Sequence, residues 1–116
     1  MNADWSIEEY ELPSGQRPFQ KFVRTLSGIA KMRATSLLSL LRHGHALRLP
    51  QSRALGRGLF ELRDPCGVRI FYVFRPGHRV TILGGYLKKR QDIPERVLRT
   101  MRNYQADVEA NDESTT

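Results

Sequence analysis

The sequence predicts an α+β domain: a helical hairpin packed on a small, mainly antiparallel twisted sheet, in the order β-α-α-β-β-β-α. Three observations carry this reading. Apolar residues recur at helical spacing twice between Phe19 and Leu41. Alternating runs rich in β-branched and aromatic residues follow in series, divided by turn residues. A proline then opens one last helical stripe. With 116 residues the chain is long enough for one hydrophobic core. A single domain is expected over 1–110, with 111–116 as a flexible tail.

Trp5, Ile7, Tyr10 and Leu12 alternate imperfectly and predict a strand, which Pro13, Ser14 and Gly15 end. Pro18 suits the first turn of a helix, and Phe19, Phe22, Val23 and Leu26 follow at i, i+3, i+4 and i+7. Gly28 breaks that helix. A second one carries Ile29, Met32, Leu37, Leu40 and Leu41, with Lys31, Arg33 and Arg42 left for solvent, and stops near His43-Gly44-His45. So short a link folds the two helices back on each other. The stretch from Arg48 to Arg57 has no period and contains Pro50, so a connecting loop is expected. The strands Gly58–Arg63, Val68–Arg75 and Arg79–Lys88 come next. The turns Asp64-Pro65-Cys66-Gly67 and Pro76-Gly77-His78 divide them, which reads as an antiparallel meander. Pro94 opens the final helix, whose Val97, Met101 and Tyr104 either pack on the sheet or receive a partner segment. All helices are expected on one face.

Charge narrows the partners. Lys and Arg number 19 against 12 Asp and Glu, a net +7, and the isoelectric point is near 10.2. The acids gather toward the two ends, so the body from Gln16 to Lys89 is basic and favours a polyanion. RNA and DNA rank above membrane, because no apolar stretch approaches the roughly 20 residues that span a bilayer and no Trp/Lys-rich amphipathic segment is present. The acidic N-terminal segment does not read as a signal peptide. One cysteine allows no internal disulfide, which fits a reducing cytoplasm.

Alternation sorts the strand residues. Val68, Ile70, Tyr72 and Phe74 fall on one side, and Arg69, Phe71, Val73 and Arg75 on the other. If the apolar side meets the helices, Arg63 and Arg69 stand together on an uncovered face, with Phe71 as a stacking surface. Tyr86 and Lys88 share a face of the last strand. Guanidinium forks clamp phosphates, and aromatic planes stack bases. One arginine on a sheet is as often simple solvation, but two with an aromatic and lysines point to nucleic acid. The remaining chemistry-bearing residues read as structural. His43 and His45 lack a Cys or acid cluster, His78 sits in a turn, and the Cys66 thiol has no paired base. No metal site and no cofactor are expected.

The order Leu40-Leu41, Gly44, Pro50, Gly58–Arg63 (GLFELR), Gly67–Phe74 and Tyr86-Leu87-Lys88-Lys89, with Pro94 beyond, resembles the RelE/ParE toxin superfamily, most closely its phage-derived HigB-like branch. The resemblance implies a RelE-like toxin fold and the toxin of a bacterial type II toxin–antitoxin system, acting in the cytoplasm. Such a toxin enters the ribosomal A site, contacts rRNA and cuts mRNA there. A cognate antitoxin, expected to be a helix-turn-helix protein, neutralises it, with higher-order assembly on operator DNA. Carried over by position, Arg63 and Arg69 stabilise the scissile phosphate, and Lys88 and Lys89 supply charge or proton transfer. Tyr86 takes a place where the family has phenylalanine. Arg57, Phe71, Tyr86 and Arg90 are expected to contact RNA, and Glu61 to be structural. An ordinary lysine, with pKa near 10.4, is neutral at pH 7 in only about one copy in 10³–10⁴. A proton-transferring one therefore needs its charge disfavoured by roughly 4 kcal/mol, and Lys89 among its cationic neighbours is the better candidate. A ParE-like gyrase inhibitor of the same fold is the rival reading, and a degenerate binding module the third.

Overall fold

The computed structural model describes residues 4–43, 50–88 and 92–114. These form strands β1 (Ser6–Glu9), β2 (Ser52–Gly56), β3 (Leu59–Arg63), β4 (Val68–Arg75) and β5 (Arg79–Leu87), with helices α1 (Pro18–Arg24), α2 (Gly28–His43) and α3 (Glu95–Ser114). The sheet runs β1-β5-β4-β3-β2. β2 to β5 form an antiparallel meander, and β1 joins β5 in parallel. The α+β class holds, with the predicted order and one strand more.

That strand, β2, lies where a loop was expected. Its sequence SRALG has no alternation because it is an edge strand, paired only with β3 and largely exposed on both faces. Side chains fasten it as much as the ladder does. The Ser52 hydroxyl lies 2.6 Å from the Tyr72 hydroxyl, and Arg53 reaches the buried Glu61 at 3.1 Å. Glu61 is therefore structural, as expected.

Helices cover both faces of the sheet, not one. Ala34, Leu37 and Leu41 of α2 and Phe19 of α1 bury Leu62, Val68, Ile70 and Tyr72. Val97, Met101 and Val108 of α3 bury Leu59, Phe71, Val73 and Leu83 on the other side. The face expected to be open carries arginines only at its ends; its middle is apolar and needs a cover. The Val97/Met101 stripe thus packs on the sheet. Adjacent glycines let both layers close on β5. A Cβ at Gly84 would meet Met101 Cε at 2.8 Å, and one at Gly85 would meet the Phe22 ring at 2.3 Å.

α3 runs through Ser114, into the stretch where a tail was expected. Arg75 Nε donates to both Asp112 carboxylate oxygens at 3.1 Å, and Arg75 also reaches Glu8 at 3.3 Å. This pairing extends the helix past the polar residues that suggested fraying. His43 and His78 are tied down as well, and His45 lies outside the described residues. His43 Nδ1 lies 2.9 Å from Asp4, and His78 stacks on Trp5 with centroids 3.7 Å apart.

Candidate active site

The β3–β4 turn organises the site. The Gly67 amide donates to the Asp64 carbonyl at 2.9 Å and the Asp64 amide to the Val68 carbonyl at 3.0 Å. Gly67 takes φ +108. This is a three-residue hairpin loop closed by a left-handed glycine. Asp64 Oδ2 accepts the Cys66 amide at 2.9 Å, a local turn that fixes the tip. Burial pushes the Asp64 carboxyl up, but the Cys66 donors and the Arg33 and Arg69 charges outweigh it and hold it below the usual range. Burial and the Asp64 contact push the Cys66 thiol up, which disfavours thiolate chemistry.

The turn sets Arg63 directly opposite Arg69, and Arg69 opposite Tyr86. Since Asp64 and Val68 hold the neighbouring bonded position, Arg63 and Arg69 form a non-hydrogen-bonded pair, with Cα atoms about 4.5 Å apart. Like charges so placed are destabilising on their own. Arg69 Nη1 donates to the Asp64 and Val68 carbonyls at 2.9 and 3.1 Å, which locks its guanidinium. Pro50, Gln51, Arg63, Asp64, Pro65 and Arg69 line a depression of about 340 Å³. Three buried polar atoms there have no partner among the described residues: Arg63 Nε, Arg69 Nε and Gln51 Oε1. Lys88 joins from β5. Its amide donates to the Gly67 carbonyl at 2.7 Å, and its own carbonyl leaves no room for a side chain at Gly67.

Residues 21–105 match the family model described as phage-derived protein Gp49-like. The chain belongs to that family. The Gp49-like proteins are toxins of the RelE/HigB type. The fold of this Gp49-like chain is similar to a chain of the toxin–antitoxin complex RelBE2 from Mycobacterium tuberculosis. The TM-score is 0.56 at 17% identity, over 75% of this chain and 94% of that one. No curated protein matches it in sequence.

Against the sequence expectations, the Gp49-like fold brings together Arg63, Arg69, Tyr86 and the Lys88 backbone. Phe71 is a correction: it is 0% exposed, sealed under α3, and cannot stack on a base. Arg57 is exposed but sits at the β2–β3 turn, separated from Arg63 by the length of β3, about 20 Å. Lys89 and Arg90 lie outside the described residues. Sequence reasoning missed Gln51, which enters the site only because β2 pairs with β3, and Arg33, which approaches the turn from α2. The spacing of neither residue announces a site. Among the described residues, no helix is long and apolar enough to cross a membrane.

Proposed function

We propose that this toxin is a ribosome-dependent, metal-independent mRNA endonuclease of a type II toxin–antitoxin pair. The observation that carries the reading is that two arginines, each with a buried and unpartnered guanidinium Nε–H, line one depression. A phosphate is an acceptor that fits two such forks and relieves their mutual repulsion. In the reaction the ribose 2′-oxygen bonds to phosphorus and the 5′-oxygen leaves, while negative charge gathers on the non-bridging oxygens. Arg63 and Arg69 donate to those oxygens, and the Nη1 bonds of Arg69 mean that little must reorganise as charge develops. Lys88 and Lys89 are assigned the proton transfers at the 2′- and 5′-oxygens. Tyr86, beside Arg69, offers a ring to a flanking base. A cognate helix-turn-helix antitoxin is the protein partner, with joint assembly on operator DNA. The ribosomal target, with its mRNA and rRNA, places the activity in the cytoplasm.

Primer extension on mRNA incubated with the purified protein, with and without 70S ribosomes, tests this. Discrete cuts are expected only with ribosomes, and Arg69→Ala should slow them by about 100-fold or more. A Lys89→Arg variant cutting at the wild-type rate would leave Lys89 a charge and not a proton carrier. Intact mRNA together with gyrase-dependent DNA cleavage would replace this reading by gyrase inhibition.

A further inference from the structure

Glu61 is out of place on the sheet. It alternates with Leu59 and Arg63 on the face that α3 covers at Leu59, and its side chain is 1% exposed. Its Oε1 takes the Arg53 Nε at 3.1 Å, while Oε2 is buried and has no partner among the described residues. A buried carboxylate satisfied on one oxygen is a costly fastener. β2 has cheaper ones in its ladder to β3 and in the neutral Ser52–Tyr72 contact. What the ion pair adds is a held cation. The Arg53 side chain is 53% exposed and is bound through Nε, so its guanidinium is fixed on the inside and open to solvent beyond.

Register puts that cation beside the depression. The Gln51 carbonyl accepts the Arg63 amide at 2.8 Å, and Arg69 stands between Arg63 and Tyr86. Gln51, Arg63, Arg69 and Tyr86 therefore form one row across four strands. Arg53 opposes Glu61, one row away on the same face and diagonal to Arg63, with Cα atoms about 7–8 Å apart. We infer that Glu61 holds Arg53 as a third phosphate clamp, for the phosphate next to the one at Arg63 and Arg69. The spacing suits the stride of one nucleotide in an extended strand, and Arg53 carries the same planar fork as the pair. The RNA then crosses the sheet, from a base on Tyr86 of β5, past the arginine pair, to β2. An acidic protein segment would also satisfy Arg53, but it would leave the continuity of the row with the Tyr86 ring unused. The inference rests on the reading of the depression as an RNA site, and it adds a residue whose loss leaves that arginine pair in place.

The test is binding of the full chain to a fluorescein-labelled 2′-O-methyl hexauridine, which lacks the attacking hydroxyl and stays whole, read by anisotropy across a salt series. Arg53→Gln should weaken binding about fivefold and reduce the slope of log affinity against log salt by about 0.7, the share of one phosphate on a single strand. Arg53→Lys, which keeps the charge, should keep the slope. Glu61→Gln is the discriminating variant. It adds one net positive charge, so long-range attraction alone would tighten binding. A released Arg53 should instead weaken it about threefold, the cost of ordering a loose side chain. Urea melts check that each variant is folded, and Arg53→Gln, at an exposed position, carries the test if Glu61→Gln does not fold. The inference falls if Arg53→Gln binds with wild-type affinity and slope, or if folded Glu61→Gln binds more tightly than wild type. It also falls if Arg53→Gln weakens binding of an oligoglutamate peptide and not of the oligomer, which would give the fork to an acidic protein. Arg63→Gln separates the two readings. If it too binds like wild type, or if the wild type does not bind the oligomer, the depression holds no RNA and both fall. If it weakens binding and Arg53→Gln does not, only the third clamp fails.

Discussion

At Gly67 the absence of a side chain decides the shape of the site. A Cβ there would lie 2.5 Å from the Lys88 carbonyl oxygen, and φ is +108. Unlike a clash with the end of a flexible side chain, this contact is with backbone and has no cheap escape. Gly67→Ala is expected to lower the unfolding free energy by about 2–4 kcal/mol, read from urea melts. It should also pull Lys88 away from the arginine pair, so cleavage should fall even at temperatures where the variant remains folded. A variant that melts and cuts like wild type would show that the turn and the β5 end are not coupled. The arginines raise a related point. Arg69 both closes the turn through Nη1 and lines the depression, so Arg69→Ala removes structure and charge together.

At the scale of elements, α3 holds the β2–β3 hairpin by its carbonyls. Arg102 donates to Gly56 and Leu55 at 2.8 and 2.9 Å, and Gln105 Nε2 donates to Arg57 at 2.6 Å. The turn needs this support, because Gly56, Arg57 and Gly58 take φ of +91, +56 and +83 in succession. The Arg57 conformation is uncommon for a residue with a side chain. Gln105 is 4% exposed, so its amide is committed to the clamp. Gln105→Leu is expected to cost about 1–3 kcal/mol. Hydrogen exchange should rise first at residues 55–58, while the Arg63–Arg69 depression, a strand's length away, keeps its activity. Uniform exchange across the sheet would mean the hairpin has no local clamp.

For the molecule as a whole, contacts between distant segments tie the start of the chain to its last helix. The Tyr10 hydroxyl, just past β1, donates to Asp107 of α3 at 2.7 Å. Burial, that hydrogen bond and the Asp107 charge push the phenol up to about 12. The folded state therefore holds this proton more tightly than the unfolded chain does. The stabilisation is complete below the ordinary phenol value near 10 and is lost as pH rises through the folded value of about 12. Denaturant melts at pH 8 and pH 11.5 should show a steeper fall for wild type than for Tyr10→Phe. Equal falls would assign the alkaline loss to other groups. At the acid end, Asp112 works with the opposite sign. Hydrogen bonds and charge from Arg75 hold its carboxyl below the usual range, so its contribution is present above pH 4 and is lost as pH drops through the folded value.

The sequence by itself determined the helices, the meander and the meeting of Arg63 with Arg69. Each follows from local period or from a turn whose length sets the register on either side. Tertiary structure alone decided what those periods face. Phe71 and Arg69 alternate onto the same side of β4, and whether that side is open depends on a helix that begins over twenty residues later in the chain. Residues of α3 pack on Phe71 and none of them lines the depression, so Phe71 is sealed while Arg69 lines it. β2 was illegible because an edge strand with both faces partly in solvent carries no hydrophobic alternation, and Gln51 was hidden with it. Arg57, in the turn before β3, and Arg63, at its end, are six residues apart, yet the extended strand between them places them far apart. Proximity along the chain and proximity in the site are different quantities, and only packing converts one into the other.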